Sequence, residues 1–111
     1  MMYSRHLAQS RPANTTAVSV YSPPVNTITE ITAVVICNTA GTSQDFRIFL
    51  DNDGTTYDQT TALFWDVPVP ADASLQLDAN WWMDNSSGNL AVRTDSASAF
   101  TFTVFGSEND L

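Results

Sequence analysis

The residues best suited to chemistry in this 111-residue chain are carboxylates, which outnumber the arginines by twelve to four, with no lysine. Their densest group is Asp51-Asn52-Asp53-Gly54, followed closely by Asp58. Carboxylate oxygens of this kind can bind calcium, but the spacing does not match the helix-flanked calcium loop that ends in Glu. The same residues are typical of a tight hairpin turn, because Asn, Asp and Gly tolerate positive φ. We therefore predict a turn and no metal site.

Other catalytic or ligand-binding patterns are missing from the sequence. The acidic residues fall mostly at predicted strand ends and turns, where they are solvated, and they do not form a pair that flanks a cleft. No glycine-rich loop could cradle a phosphate. His6 and Cys37 have no partners at zinc-binding spacing, and Cys37 lies in an apolar run, as a buried core residue would. We predict no catalytic residues, no cofactor and no small-molecule ligand.

The charge of the chain is unevenly distributed. The net charge is −8, which disfavours binding to nucleic acid because phosphates would be repelled. Residues 1–12 contain Arg5 and Arg11 but no acid, so this segment carries +2 and the rest of the chain −10. Such a segment could bind another copy of the acidic body or a different acidic surface; the alternative is a disordered terminus. No apolar run has the length of a membrane span and no signal-peptide core is present, so we predict cytoplasmic synthesis and no membrane partner.

The neighbouring residues Trp81 and Trp82 are the clearest candidates for binding. Adjacent side chains on a strand point to opposite faces, so both tryptophans cannot enter the same core face. Three interpretations remain open for this pair. They are a protein interface, since tryptophan is enriched at interface hot spots, a cap on the end of the core, and a platform for carbohydrate.

The N-terminal residues 1–16 have no helical or strand periodicity, and Pro12 and Asn14 make a helix through their end unfavourable. We predict an extended N-terminal arm at 1–16, a folded domain at 17–108 and a polar C-terminal tail at 109–111. The arm supplies the remaining candidate contacts with a partner, which are Tyr3, Arg5, His6, Leu7 and Arg11.

The folded domain reads as a series of short strands. In Ala97–Gly106, Phe100, Phe102 and Val104 recur with a period of two, so they share one face, whose burial is worth roughly 5–9 kcal/mol. Further strands are predicted at Ala17–Ser22, Ile28–Asn38, Asp45–Asp51, Ala62–Val67, Ser74–Asp78 and Leu90–Thr94. About seven or eight strands separated by turn signals predict an all-β fold, a single antiparallel β-sandwich of jelly-roll type.

Three stretches resemble small virion structural proteins of tailed bacteriophages. They are VVICNTAGTSQDFRIFLDNDGTTYD (34–58), ALFWDVPV (62–69) and LAVRTDSASAFTFTVFGSE (90–108), within a resemblance that covers roughly residues 11–108. The resemblance implies a non-enzymatic assembly protein. Our leading expectation is a capsid decoration (cement) protein on the outer surface of the virion. It would be a homotrimer that cross-links capsomers by binding the major capsid protein, itself, or both. The alternatives are a tail adaptor, neck or tail-fibre module, the last with glycan or receptor binding.

Overall fold

The computed structural model describes residues 4–110, and this part of the chain consists of eight β-strands joined by turns and loops. The strands are β1 (Arg5–Ser10), β2 (Val18–Tyr21), β3 (Thr27–Asn38), β4 (Gln44–Asp51), β5 (Ala62–Val69), β6 (Ser74–Met83), β7 (Asn89–Thr94) and β8 (Phe100–Asp110). Among the described residues, no helix is long and apolar enough to cross a membrane.

The strands form two antiparallel sheets that pack face to face. The first sheet has the order β1-β8-β3-β6 and the second the order β2-β7-β4-β5. Strand β1 therefore pairs with β8, β2 with β7, β3 with β6 and β4 with β5, which is a long hairpin of four strand pairs wrapped into a sandwich. This is the jelly-roll arrangement, so the predicted fold class is confirmed.

The core lies between the sheets and is centred on the aromatic residues of β8 and β4. Phe100, Phe102 and Val104 are completely buried, as the period of two predicted. From the second sheet, Phe46 packs edge-on against Phe100 and Phe102, with ring centroids 5.9 and 6.2 Å apart. Such edge-to-face contacts add to the free energy gained from burying the rings.

The N-terminal segment differs from the arm predicted at 1–16. Residues Arg5–Ser10 are extended, but they form the edge strand of the first sheet rather than a segment that stands apart from the sandwich. The prediction missed this strand because its apolar residues, Leu7 and Ala8, are adjacent and do not alternate with polar ones. A bulge between His6 and Ala8 interrupts the period of two that marks a strand. The sandwich therefore begins at Arg5 and not at residue 17.

Three strands continue beyond their predicted ends. Strand β6 runs to Met83, and β8 reaches Asp110, within the predicted tail at 109–111. Strand β5 continues through Pro68 to Val69. A proline fits there because β5 lies at the edge of its sheet, where one side of the backbone needs no hydrogen bonds.

Candidate functional site

The outer face of the first sheet combines a few apolar side chains with the polar side chains of β6 and β8. Val34 and Ile36 point into the core, so the alternate residues Val35 and Cys37 of the central strand β3 lie on the outer face, half-buried. On β8, the half-buried Phe105 follows the buried Val104 and lies on the same outer face. The sequence showed one sign of this surface, since the run VVIC is apolar on both sides.

The two tryptophans of β6 point in opposite directions, as their adjacency required. Trp81 is half-buried and packs towards the core, with its ring centroid 6.1 Å from that of Phe64. Trp82 lies on the outer face of the first sheet and is 55% exposed. It stands opposite Glu30 of β3. The structure thus separates the pair into a core residue and a surface residue.

Two candidates of the N-terminal segment lie at the other edge of the same sheet. The exposed His6 stands opposite Phe105, and their rings are 6.0 Å apart on the outer face. Arg5, whose side chain is 61% exposed, pairs with the carboxylate of Glu108. His6 and Trp82 therefore mark opposite edges of one surface, with Phe105 between them.

Two other N-terminal candidates, Leu7 and Arg11, do not join this surface. Leu7 is half-buried and packs against the core, which leaves it unsuited to the predicted role of an anchor on a partner. Arg11 follows β1, and its Nε donates a hydrogen bond to the carbonyl of Ser98, 3.0 Å away. Tyr3 lies outside the described residues.

The outer face of the second sheet, in contrast, is partly covered by the chain itself. Phe49 of β4 points away from the core, yet it is 1% exposed. Tyr57, from the loop between β4 and β5, and Trp65 of β5 pack against it, with ring centroids 6.2 and 6.1 Å away. Periodicity correctly predicts that Phe49 faces outward, but it cannot show that a loop folds back over it.

A charged cluster borders this second aromatic group. The Arg47 guanidinium lies 3.5 Å from the centre of the Trp65 ring and donates two hydrogen bonds to Asp66, at 2.6 and 3.0 Å. Asp66 has φ +52° at an irregularity in β5, which lets Trp65 and Asp66 both lie on the outer face beside Arg47. The arginine keeps the pKa of the Asp66 carboxyl below its usual range, mainly through the side-chain hydrogen bond.

The acidic turn is held by its own backbone. Asp51 is almost completely buried, and its carboxylate accepts hydrogen bonds from the N–H groups of Gly54, Thr56 and Asn89 at 3.3, 3.2 and 2.8 Å. Asp53 accepts bonds from the N–H groups of Thr55 and Thr56 and from the Thr56 hydroxyl, which lowers the pKa of its carboxyl. These bonds give the acidic residues a structural role, but the predicted tight hairpin turn is instead the start of a longer loop, residues 52–61, between β4 and β5.

Within residues 4–110, no group of three or more His, Cys, Asp or Glu side chains could hold a metal ion, and no pocket opens on the surface. Cys37 is a free thiol, half-buried on the outer face of β3 rather than in the core as predicted. The feature of the described residues that could serve a partner is therefore a surface and not a cavity.

No protein-family model matches the sequence. Comparison with curated proteins gives no match either. Among solved structures, the chain is similar to those of infectious bursal disease virus, Gx and Gt strains, with TM-scores of 0.45 and 0.41 at 13% and 12% sequence identity. Both similarities cover 97% of this chain but 30% of the viral chain. The strand orders β1-β8-β3-β6 and β2-β7-β4-β5 by themselves define the jelly roll.

Proposed function

We propose that the protein is a non-enzymatic structural component of a bacteriophage particle, a decoration protein that binds the outer surface of the capsid. In this role it forms homotrimers and cross-links neighbouring capsomers through contacts with the major capsid protein. The sequence resemblance described above supports the viral context, and the jelly-roll strand order is compatible with it.

The observation that carries the proposal is the difference between the two outer faces of the sandwich. The second sheet covers its outward-facing aromatic residue, Phe49, with a loop of the same chain, whereas Trp82 of the first sheet is 55% exposed, on the same face as the half-buried Val35 and Phe105. Buried centres of protein interfaces are rich in tryptophan and other aromatic residues. The first sheet therefore presents the surface that docks on the capsid.

The test is binding to empty capsids of the phage that encodes the protein, measured as bound copies per particle over a concentration series. We expect Trp82→Ser to weaken binding by about tenfold or more, since an interface tryptophan commonly contributes this much. The matched control is Leu63→Ser, which removes a 41% exposed side chain from β5 in the other sheet. It should bind as the wild type does.

Two results would count against the proposal. If the wild-type protein does not bind capsids, its role as a decoration protein is wrong. If Trp82→Ser and Leu63→Ser bind equally well, the outer face of the first sheet is not the contact. Thermal melting of both variants shows whether each one is folded.

The exposure of Trp82 also favours a second candidate, a glycan-binding module of a tail appendage. An exposed indole ring opposite the polar residue Glu30 suits stacking against a sugar. Binding of the wild type, but not of Trp82→Ser, on a glycan array would favour this function over capsid binding.

A further inference from the structure

The sandwich has four edge strands, and they differ in how well they are protected against pairing with another chain. Strand β2 has four residues, and β5 contains Pro68 together with the irregularity at Asp66. Strand β1 has six residues and a bulge. Short strands, prolines and bulges are the usual means of blocking an edge. Strand β6 has ten residues, no proline and one charged residue, Asp78; its one irregularity lies beyond Asp78, which leaves Ser74–Asp78 regular.

The backbone of β6 also has hydrogen-bonding groups that point away from its sheet. The N–H of Asn38 donates to the carbonyl of Ala73, 2.9 Å away, which fixes the alternation of hydrogen-bonded pairs between β3 and β6. In an antiparallel ladder every second residue bonds to its partner strand. From that register, the N–H and C=O groups of Ser74, Gln76 and Asp78 face the open edge of β6.

The opposite edge of the same sheet has the complementary charge. Strand β1 begins with Arg5 and His6 and is followed by Arg11, whereas β6 carries Asp78 and is followed by Asp84. A sheet of four antiparallel strands has outer strands that run in opposite directions. When two copies lie side by side in the same orientation, β1 of one and β6 of the other are therefore antiparallel.

We infer that the partner of the open β6 edge is a second copy of this chain, which adds its β1 strand to β6 so that the first sheet continues across the boundary between copies. The contact uses two different edges, so it can close into a ring or continue as an open chain, depending on the rotation between copies. Main-chain hydrogen bonds supply the affinity, as in other cases of strand addition. The inference deepens the proposed self-association but does not require a capsid.

The experiment removes a single backbone N–H from the open edge of β6 by a substitution with proline. Gln76→Pro removes an N–H that faces away from β3, so the bonds within the subunit remain while pairing with a second copy is blocked. The control Gln76→Val loses the same amide side chain but keeps the N–H. We expect the wild type and Gln76→Val to form oligomers, and Gln76→Pro to associate about tenfold or more weakly in sedimentation experiments.

A second variant, Asp78→Asn, does not depend on how well the proline is tolerated. If β6 pairs with the basic β1 of another copy, loss of the negative charge weakens association. If instead β6 pairs with β6, the same change removes repulsion between two acidic strands and strengthens association, which would overturn the inference.

The inference would also fail if the wild-type protein were monomeric at every concentration tested, or if folded Gln76→Pro associated as the wild type does. Capsid binding is measured separately on the same variants. A monomeric Gln76→Pro that still binds capsids would support the edge contact and leave the proposed function intact. Loss of capsid binding in Trp82→Ser, with its oligomers unchanged, would locate the two contacts on different parts of the sheet.

Discussion

At the scale of single residues, acidic side chains stabilise local structure in ways that the sequence did not distinguish. Asp51 and Asp53 look equivalent in the sequence, yet Asp51 is buried and bonds to both the turn and β7, whereas Asp53 is exposed and bonds only within the turn. A buried carboxylate that accepts several N–H groups is costly to remove, since its partners lose their acceptor.

We therefore predict that Asp51→Ala lowers the free energy of unfolding by about 2–3 kcal/mol. The substitution leaves the N–H groups of Gly54, Thr56 and Asn89 without their acceptor. Urea denaturation at neutral pH measures the change. Asp53→Ala is the matched control and should cause a clearly smaller loss, because water can replace its carboxylate. Equal losses in the two variants would show that burial of Asp51 has no special importance.

At the scale of elements, the close packing of three strands explains a glycine in β8. A Cβ atom on Gly106 would lie 2.2 Å from the carbonyl oxygen of Glu30 in β3 and 2.9 Å from Cδ1 of Leu7 in β1. A carbonyl group held in a sheet cannot move aside cheaply. Gly106 thus allows β1 and β3 to pack closely on either side of β8.

We expect Gly106→Ala to destabilise the protein by about 1–3 kcal/mol, as overpacked positions do. Hydrogen exchange should show the largest loss of protection in β1, which has only β8 as its paired neighbour. Gly41→Ala is the control, because a Cβ at Gly41 meets no atom within 4 Å. If Gly106→Ala has the same melting temperature as Gly41→Ala, close packing at Gly106 does not limit the size of this residue.

The strands that sequence periodicity predicted correctly are those with one apolar face in the core. Phe100 and Phe102 illustrate this, since hydrophobic burial dictates their alternation. The N-terminal strand was missed because its register is set by a bulge and by hydrogen bonds to β8, which leave no simple pattern. A deletion of residues 2–11 would therefore remove a strand of the first sheet and not a free arm.

The candidate site was predictable in part. Adjacency alone required Trp81 and Trp82 to face opposite sides, and the structure shows which of them is exposed. The apolar run VVIC indicated an outward-facing Val35, but the contribution of Phe105 to the same surface was not predictable, because it depends on which strands are neighbours. Strand order arises from contacts far apart in the chain, and the sequence alone gave no information on it.

At the scale of the whole molecule, a polar network joins the two sheets at one end of the sandwich. The hydroxyl of Tyr21 in β2 forms hydrogen bonds with Thr29 of β3 and Glu108 of β8, and Glu108 in turn pairs with Arg5 of β1. This network thus links four strands, one from the second sheet and three from the first. Burial is the main cause that raises the pKa of the Tyr21 phenol above its ordinary value, followed by its hydrogen bond to Glu108.

This network predicts how the stability of the whole sandwich changes at alkaline pH. Because the pKa of Tyr21 is higher in the folded than in the unfolded protein, its contribution is complete below about pH 10 and is lost as the pH rises above that value. Tyr21→Phe should cost about 1–2 kcal/mol at neutral pH and should flatten the decline in unfolding free energy between about pH 10 and 12. Urea denaturation across this range measures both effects. Tyr57→Phe is the comparison: burial also raises the pKa of Tyr57, so it too should flatten the decline, but its hydroxyl bonds only to Gly54 in its own loop, so its cost at neutral pH should be smaller. If Tyr21→Phe declines with pH as steeply as the wild type, ionisation of Tyr21 does not govern the alkaline stability of the sandwich.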